Sequence, residues 1–550
     1  MNEKYLKALG VCWKSLSVAL FVVSVYWFTS LTIYLGNVLD FCHITLTQLL
    51  VVNFVLSTLG VVFLVGIMLC FGKTHYFRYI LLFFLASGFC MWLESYVLLW
   101  KSSSFWLASG ELVLFAGLFF VVYYFSSFFF QNAPKIAWVL ILAQAAVVLP
   151  NWLSYDEDIH KQILPYVYLS GEIDQKDYTL SGEKNVIIFV LDSFGRGFYN
   201  DIVASSSSDF LNPFKDFTSF SKCMSLYPAT QGALPTLLSG ARGIDDLNLW
   251  DDDKTVYEQS LGGKTLTLPK MLEIFKGSPN ILPQHLKEEG FLCFYDTHVN
   301  FRICIPVDCG FEYDHELLQR LDKPISSTVL TTGIIPLATA RMSPHMYKDR
   351  CWSFFTEWIW YAYAIYCGDE NSESEERSLT VRMPRAKCTL EEDHFFMQMP
   401  SVLPLQDMPI FRVYHLMGPH NDDPSQYVRE PYVLKGKMDL EGVAKYLELL
   451  KAAGKYDDSY IVIMGDHGNH LEPLLERKNP ILLIKRPGDA HEKIVESDEP
   501  VFIRDIAPTI LSDLGIVTKE PYSVWNLSEA QKEERRKKWD EIKAADARYR

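Results

Sequence analysis

The chain has 550 residues, more than one ordinary domain needs. Its formal net charge of −15 argues against a nucleic-acid partner, because nucleic-acid-binding proteins use basic patches that displace counterions from phosphates. Residues 1–153 are mostly apolar, whereas the remainder has the mixed composition of a soluble α/β domain. We therefore expect an apolar N-terminal region followed by a soluble domain.

Five long apolar runs occupy the first region. About 20 apolar residues cross the hydrocarbon core of a bilayer, so each run is a candidate transmembrane helix. The later runs argue against a cleavable signal peptide at the first one. We predict an α-helical membrane domain over residues 1–153, with spans at 15–35, 49–71, 79–99, 106–130 and 136–152.

Basic residues predict the orientation of these spans. They precede the first span and lie between the second and third and between the fourth and fifth, whereas the alternate loops offer only Lys101. Cytoplasmic loops carry an excess of Lys and Arg, so the N-terminus should be cytoplasmic. Five crossings then make this a multi-pass protein of the cell membrane, inner or plasma, with an extracytoplasmic catalytic domain. Four crossings would put that domain inside.

The remainder of the chain divides by composition into three predicted parts. Residues 154–184 are polar and favour a linker along the membrane surface. Residues 185–525 carry the strand and helix patterns of an α/β catalytic domain. Residues 526–550 are rich in charge and predict a solvated C-terminal helix.

Three apolar runs predict strands buried on both faces, at 185–191, 409–416 and 460–466. Between the second and the third lies a helical pattern for which Asp439 is a candidate N-cap and Gly454 a stop signal. Strand, helix, strand is a βαβ unit, which favours a largely parallel central sheet.

The eleven cysteines leave the disulfide state open. An exported domain would allow disulfides. We predict the pairs Cys304–Cys309 and Cys367–Cys388, with at least one of the seven cysteines beyond residue 153 left over.

Polar residues of catalytic type follow or end each predicted strand. Ligands of parallel sheets bind at the carboxyl ends of the strands, so we expect these side chains to meet. Carboxylate oxygens together with imidazole nitrogens suit a zinc- or manganese-type ion. A plainer interpretation of each alone is a capping Asp or a structural His. The residues are Asp192, His415, His420, Asp466 and His467.

Thr230 lies where a loop enters a predicted helix, within the segment 227–240. A helix N-terminus presents free N–H groups to a phosphate-like anion. Metal coordination turns a threonine hydroxyl into a usable nucleophile. Alone, Thr230 is better interpreted as an N-cap. Arg196 could neutralise a bound anion, and a surface position explains it equally well.

In order along the chain, these motifs resemble the sulfatase-like branch of the alkaline phosphatase superfamily. Thr230 takes the place of the sulfatase nucleophile, and Gly240 closes the motif ten residues later, as the Leu-Thr-Gly motif does in sulfatases. The Cys-x-Pro-x-Arg pattern is missing, which argues against a formylglycine sulfatase. Met-Gly-Asp-His-Gly at 464–468 resembles the family's metal motif, and 502–515 resembles its C-terminal helix signature.

Within that superfamily, the chain most resembles membrane phosphoethanolamine transferases and lipoteichoic acid synthase-type phosphoglycerol transferases. Both have five spans followed by an exported catalytic domain. The phosphoethanolamine transferases have a threonine five residues before a proline, as Thr230 and Pro235 are here. They also carry His-x-x-Gly-x-His after a strand, which His415 and His420 match.

This resemblance implies one divalent ion, zinc or manganese, on Asp192, Thr230, Asp466 and His467. Asp192 stands where those families usually have Glu. No later His stands in the family's spacing after the metal motif, which argues against a second metal ion. His420 would contact the phosphate or protonate the leaving group, and His415 would be a second polar contact.

The implied reaction transfers phosphoethanolamine or phosphoglycerol from a membrane phospholipid donor to a glycan or lipid acceptor, through a phospho-threonine. Two alternatives stay open. A membrane-anchored phosphodiesterase or phosphatase would use water as the second acceptor. A non-catalytic lipid-binding regulator could keep the scaffold without the chemistry.

Overall fold

Contacts divide the chain into two compact units. Residues 1–160 and 321–383 form a helical unit, and residues 161–320 and 384–550 form a unit built on a β-sheet. The domain boundaries expected from sequence stay predictions, and most of the expected linker at 154–184 lies outside the described residues. The computed structural model describes residues 3–36, 45–97, 105–153, 155, 175–225, 227, 229–241, 268–297, 305–306, 308–312, 338–339, 341–344, 394–420, 429–469 and 472–549.

The first unit contains five apolar helices. Four are long and apolar enough to cross a membrane, namely the first, second, third and fifth. The fourth helix has a shorter apolar stretch, residues 109–124. The helices are α1 (Glu3–Gly36), α2 (Leu46–Cys70), α3 (Phe77–Tyr96), α4 (Phe105–Tyr124) and α5 (Ser126–Leu153).

Side-chain contacts show that these helices alternate in direction. Asn53 near the start of α2 donates a hydrogen bond to Ser30 near the end of α1, so the two helices are antiparallel. Tyr79 and Tyr123 stack between the start of α3 and the end of α4. Lys14 lies over the ring of Phe130, and Gln144 donates to Ser24, so α5 runs parallel to α1. The end of α5 therefore lies at the same end of the bundle as the end of α1.

The boundary between the fourth and fifth helices differs from the sequence prediction. The predicted fourth span continued to residue 130, but α4 ends at Tyr124 and α5 begins at Ser126. The side chain of Arg78 binds Ser127 at this junction, with donor and acceptor 2.8 Å apart. Pro134, which we expected outside the helices, lies inside α5. The predicted fifth span therefore gains a further two to three turns at its start.

A short part of the later chain belongs to the helical unit. Ala338 and Met342 pack in its apolar core, where both are buried. The guanidinium of Arg341 donates from Nε to the carbonyl oxygen of Ser95, 3.2 Å away, at the end of α3. Residues far along the chain thus pack on the apolar helices.

The second unit is built on a sheet of seven strands, with two short parallel strand pairs, β1–β6 and β4–β11, beside it. The strands are β1 (Leu180–Ser181), β2 (Asn185–Leu191), β3 (Thr218–Phe220), β4 (Cys223–Met224), β5 (Leu292–Thr297), β6 (Leu405–Gln406), β7 (Ile410–Leu416), β8 (Tyr460–Met464), β9 (Leu482–Lys485), β10 (Val495–Ser497) and β11 (Val501–Phe502).

The strand order of the large sheet is β10–β3–β9–β8–β2–β7–β5. Strands β5, β7, β2 and β8 are mutually parallel, and only β9 runs against the others in this sheet. The predicted α/β fold with a largely parallel central sheet is therefore confirmed. In register, Leu191 pairs with Leu416, and Val190 pairs with Met464. The carboxyl ends of β7, β2 and β8 consequently lie side by side.

Alternation along β2 explains why helices cover both faces of the sheet. Val186, Ile188 and Val190 belong to one apolar cluster, and Ile187 and Phe189 belong to another. Successive side chains of a strand point to opposite faces, so a strand that is apolar throughout must be buried twice. The unit therefore has three layers.

The helices of the second unit form the two outer layers. Residues of α7, α8, α9 and α13 join one cluster and residues of α6, α10 and α11 the other. The helices are α6 (Arg196–Ser205), α7 (Thr230–Ser239), α8 (Leu268–Lys276), α9 (Leu282–Glu288), α10 (His394–Met397), α11 (Arg429–Ala452), α12 (Leu474–Lys478), α13 (Ile506–Asp513) and α14 (Glu529–Tyr549).

The prediction that Asp439 caps the start of α11 is wrong. The helix begins ten residues earlier, at Arg429, and Asp439 is fully buried in its interior. Its carboxylate accepts a hydrogen bond of 2.6 Å from the ammonium of Lys435. Because the ammonium of Lys435 offsets the charge of this carboxylate, an interior Asp is tolerated. Gly454 lies just beyond the helix with a φ of 66°, as a stop signal should.

The C-terminal helix α14 is attached to the sheet unit by one buried ion pair. Arg535 is 3% exposed, and its Nη2 donates to Oδ1 of Asp505 over 3.0 Å. Ile542, about two turns further along the same helix, is fully buried. The helix is therefore solvated on one side only.

One predicted disulfide is wrong. Cys309 carries a free thiol and is 3% exposed. Burial raises the pKa of this thiol to about 12, so it stays protonated near neutral pH. The predicted partner Cys304 and the second predicted pair lie outside the described residues.

Candidate active site

The turn after β2 places Asp192 at the centre of the sheet edge. Its side chain is fully buried, because Leu416 and Gly418 of the neighbouring strand end lie against its backbone. A Cβ at position 418 would come within 2.4 Å of the Asp192 carbonyl oxygen. Gly418 also has a φ of 53°. Both facts require glycine here, and they explain the Gly of the His-x-x-Gly-x-His motif.

Asp466 and His467 follow β8 and are held by local hydrogen bonds. Oδ1 of Asp466 accepts from the backbone N–H groups of Ser193, at 3.1 Å, and of His467, at 2.8 Å. Nδ1 of His467 lies 2.8 Å from the carbonyl oxygen of Gly468 and donates to it, because a carbonyl only accepts. In the neutral imidazole, Nε2 of His467 therefore carries no proton and can act as a ligand. It lies 3.3 Å from Oδ2 of Asp466.

His415, the second-to-last residue of β7, lies in the same cluster. It is fully buried, and its Nε2 lies 3.5 Å from Oδ2 of Asp192. Its Nδ1 lies 3.0 Å from the hydroxyl of Tyr295 on the adjacent strand β5. Burial, followed by the charges of Asp466 and Asp192, raises the pKa of Tyr295 well above its usual value, so Tyr295 remains a phenol. Four adjacent strands thus contribute to one cluster.

Thr230 comes from the other side, as the first residue of α7. The N-cap position belongs to Ala229, which contradicts the interpretation of Thr230 as the cap. The Thr230 hydroxyl instead donates to Oδ2 of Asp192 over 3.3 Å and lies 3.3 Å from Nε2 of His467. The side chain is 5% exposed. A buried hydroxyl between a carboxylate and an imidazole is a typical arrangement for an activated nucleophile.

The electrostatics of the cluster favour an ionised carboxylate at Asp192. Burial alone would raise the pKa of Asp192, but the imidazoles of His420, His415 and His467 hold it below its usual range. Burial likewise opposes charge on His467, yet the carboxylates of Asp466 and Asp192 raise its pKa. Negative charge is thus stabilised here, as a cation site requires.

The residues present fit a divalent ion. Asp192, His415 and Asp466 each offer one ligand atom, and these three atoms lie within 4.8 Å of one another. Nε2 of His415 and Oδ2 of Asp466 are buried without a hydrogen-bond partner in the described part of the chain. Buried polar atoms in native proteins are normally satisfied. Two carboxylates and imidazole nitrogen match the preferences of zinc and manganese.

Sequence reasoning and structure agree on some site residues and differ on others. The structure brings together Asp192, Thr230, Asp466 and His467, and the three residues whose ligand atoms lie within 4.8 Å of one another are Asp192, His415 and Asp466. His420 is half-buried and close enough to influence the charge of Asp192.

Arg196 does not join this cluster. Its guanidinium donates to Ser219 at 2.7 Å and to Asn200 at 3.0 Å, and it pairs with Glu496 at 3.1 Å. These contacts tie the start of α6 to β3 and β10. The role of Arg196 in substrate binding stays a prediction.

Ser193 and Tyr295 were missed by the sequence analysis. The apolar run before Asp296 could have revealed strand β5, but not that β5 pairs with the strand that carries His415. No sequence signal marks Ser193, because its role depends on a carboxylate 273 residues away.

Comparison with known proteins finds similarity to solved structures. No family model matches the sequence, and no curated protein sequence is significantly similar to it. A phosphonate monoester hydrolase of Agrobacterium radiobacter is 12% identical, with 62% of this chain and 76% of that chain covered and a TM-score of 0.37.

Two further similar structures come from other bacteria. The lipoteichoic acid synthase LtaP of Listeria monocytogenes is 14% identical, covers 62% of this chain and 74% of its own, and has a TM-score of 0.30. An alkaline phosphatase superfamily protein from Vibrio parahaemolyticus is 13% identical, with 64% and 72% covered and a TM-score of 0.32.

Proposed function

We propose that this chain is a membrane-anchored, metal-dependent phosphotransferase. It would move the head group of a membrane phospholipid, phosphoethanolamine or phosphoglycerol, onto a glycan or lipid acceptor outside the cytoplasm. The observation that carries this proposal is the buried Thr230 hydroxyl, 3.3 Å from both Oδ2 of Asp192 and Nε2 of His467. A regulator without chemistry would have no use for a hydroxyl in that place.

The proposed ligands of the ion are Asp192, Thr230, Asp466 and His467, with His415 as a further donor. A bound divalent ion would lower the pKa of the threonine hydroxyl and neutralise charge on the phosphate. We propose one such ion, zinc or manganese.

In the first step, the Thr230 oxygen forms a bond to phosphorus and the bond from phosphorus to the diacylglycerol oxygen breaks. The Thr230 proton passes to water, because the neighbouring imidazoles hold the pKa of Asp192 too low for this carboxylate to accept it. His420 gives a proton to the leaving oxygen. The product is a phospho-threonine that carries the head group.

In the second step, an acceptor hydroxyl attacks the same phosphorus. Its proton passes to His420, the bond between Thr230 and phosphorus breaks, and the Thr230 oxygen regains a proton from water. Both histidine and threonine end as they began. The helix α7 contributes by fixing the nucleophile on a rigid element, which reduces the entropy cost of reaching the reactive geometry.

Intact-mass measurement tests the proposal. The full chain is incubated with phosphatidylethanolamine or phosphatidylglycerol in detergent, and the protein is weighed. We expect an added mass on Thr230 that equals one phosphorylated head group and so identifies the donor. Thr230→Ala should add no mass, whereas Thr236→Ala, a buried threonine on the same helix, should behave as the wild type.

Two outcomes would change the assignment. Release of free head group at the same rate with and without an acceptor would mean hydrolysis, with water as the second acceptor. An unmodified wild-type protein after incubation with both lipids would remove the proposed transfer.

A further inference from the structure

Ser193 has a backbone conformation that its residue type rarely adopts. Its φ is 61°, and among the described residues it is the one non-glycine with a positive φ. The left-handed region is disfavoured for residues with a Cβ, so the surroundings must hold Ser193 there. Ser193 is also fully buried between Asp192 and Phe194. Strain of this kind is concentrated at functional sites.

Two groups of this one residue bind two different carboxylates. The Ser193 hydroxyl donates to Oδ1 of Asp192 over 3.0 Å, and its backbone N–H donates to Oδ1 of Asp466 over 3.1 Å. In each carboxylate, Oδ1 is therefore engaged with the turn. The two Oδ2 atoms are left to face Thr230, His415 and His467.

We propose that Ser193 is a positioning residue that orients both carboxylates toward a divalent cation. Each carboxylate rotates about one bond, so fixing Oδ1 decides where Oδ2 points. Outer hydrogen bonds of this kind change metal affinity by about 10- to 100-fold. The inference deepens the proposed function in one respect, because it requires the ion but not the head-group transfer.

A purely structural role for Ser193 makes a different prediction. If the turn needed only a residue that tolerates positive φ, glycine would serve better than serine. Metal affinity would then be unchanged in Ser193→Gly, and the protein would be more stable. The two roles therefore separate on metal affinity.

The test measures binding of Zn²⁺ and of Mn²⁺ to the full chain in detergent, by competition with a chromophoric chelator. We expect Ser193→Ala and Ser193→Gly both to lose about 10-fold or more in affinity. Ser193→Gly should melt at a higher temperature than Ser193→Ala, because only glycine relieves the backbone. Ser459→Ala is the matched control, since it removes another fully buried serine hydroxyl, bonded only to the Lys455 carbonyl oxygen.

Wild-type affinity in Ser193→Gly would overturn the inference, and so would a wild-type chain that binds neither ion. Should Ser193→Ala fail to fold, Ser193→Gly alone decides the question. Transfer is a separate matter. A chain with Ser193-dependent zinc affinity but no head-group transfer would keep this inference and remove the proposed function.

Discussion

Removal of the Thr230 hydroxyl is the sharpest test at the scale of single residues. Thr230→Ala should lower the rate of head-group transfer by several orders of magnitude, as expected for a covalent nucleophile. The protein should still fold, because the loss of one hydroxyl hydrogen bond costs about 1 kcal/mol. Transfer rate and melting temperature are measured together. Thr230→Ser keeps the hydroxyl and should retain part of the activity.

The same pair of measurements can show that the nucleophile lies elsewhere. Thr236→Ala removes a buried hydroxyl that binds the Gly232 carbonyl oxygen on the same helix, so it controls for the stability effect. An active but slightly less stable Thr230→Ala enzyme, like this control, would remove Thr230 from the mechanism.

Tyr295 should act on the metal site through His415. Tyr295→Phe removes the hydroxyl that lies 3.0 Å from Nδ1 of His415, and so releases the orientation of the imidazole. We expect zinc affinity to fall by about 10-fold. Tyr414→Phe is the control, because it removes a hydroxyl buried on the opposite face of the sheet, where it binds the Asp177 carbonyl oxygen. Equal zinc affinity in the two variants would contradict a role for Tyr295.

Sequence alone could predict the residues that stand at strand ends. Asp192, Asp466 and His467 directly follow strands that are apolar throughout, and such strands are buried whatever the rest of the chain does. Tyr295 could not be found in this way, because its place depends on which strand pairs with β7. That pairing is a contact over long sequence separation, on which local patterns carry no information.

At the scale of elements, Lys478 at the end of α12 should make stability depend on pH. Burial lowers the pKa of Lys478 to about 7, and the positive charges of Lys538 and Arg477 add to this effect. In the unfolded chain it would titrate near 10.5. Between these values the unfolded chain binds more protons, so the stability of the fold rises with pH. The burial penalty is fully present below pH 7.

Melting curves from pH 7 to pH 10 measure this effect on the full chain in detergent. Lys478→Met should be more stable than the wild type at pH 7, and the difference should shrink toward pH 10. Lys537→Met replaces an exposed lysine on α14 and should show no such trend. A constant difference between Lys478→Met and wild type across this range would refute the prediction.

The boundaries of helices were predicted less well than their existence. The expected start of α11 at Asp439 failed because Lys435, one turn earlier, neutralises that carboxylate inside the helix. The expected boundary between the fourth and fifth spans, after residue 130, failed because the chain reverses at Phe125 instead. Both errors come from interactions of side chains with neighbouring turns or helices, which outweigh local capping and breaking signals.

At the scale of the whole molecule, the alternation of helix directions bears on topology. Because α1 and α5 run in parallel, we expect the chain after α5 to emerge on the side opposite the N-terminus. A cysteine introduced at Lys519, an exposed position, should react with a membrane-impermeant maleimide on intact cells. A cysteine at Lys73, exposed between α2 and α3, should react only after permeabilisation. The native chain gives the background of its own thiols.

Reactivity of the Lys73 position and protection of the Lys519 position on intact cells would invert the predicted topology. Protection of both positions would place the catalytic unit in the cytoplasm, as four crossings would. The sequence could predict five apolar helices, since hydropathy is a local property, and their orientation in the membrane stays a prediction. The sequence could not predict that Ala338, Arg341 and Met342 return to the helical unit, because these contacts join distant parts of the chain.

The long separation between Ser193 and Asp466 has a consequence for biosynthesis. The two residues that share a hydrogen bond are 273 positions apart, so the site does not exist on a nascent chain that ends before β8. On the proposed topology, the chain crosses the membrane unfolded and completes its sheet outside. The proposed ion would then bind after export, from the extracytoplasmic supply of metal. The concentration of metal in the cytoplasm would not directly determine how much of the protein carries the ion.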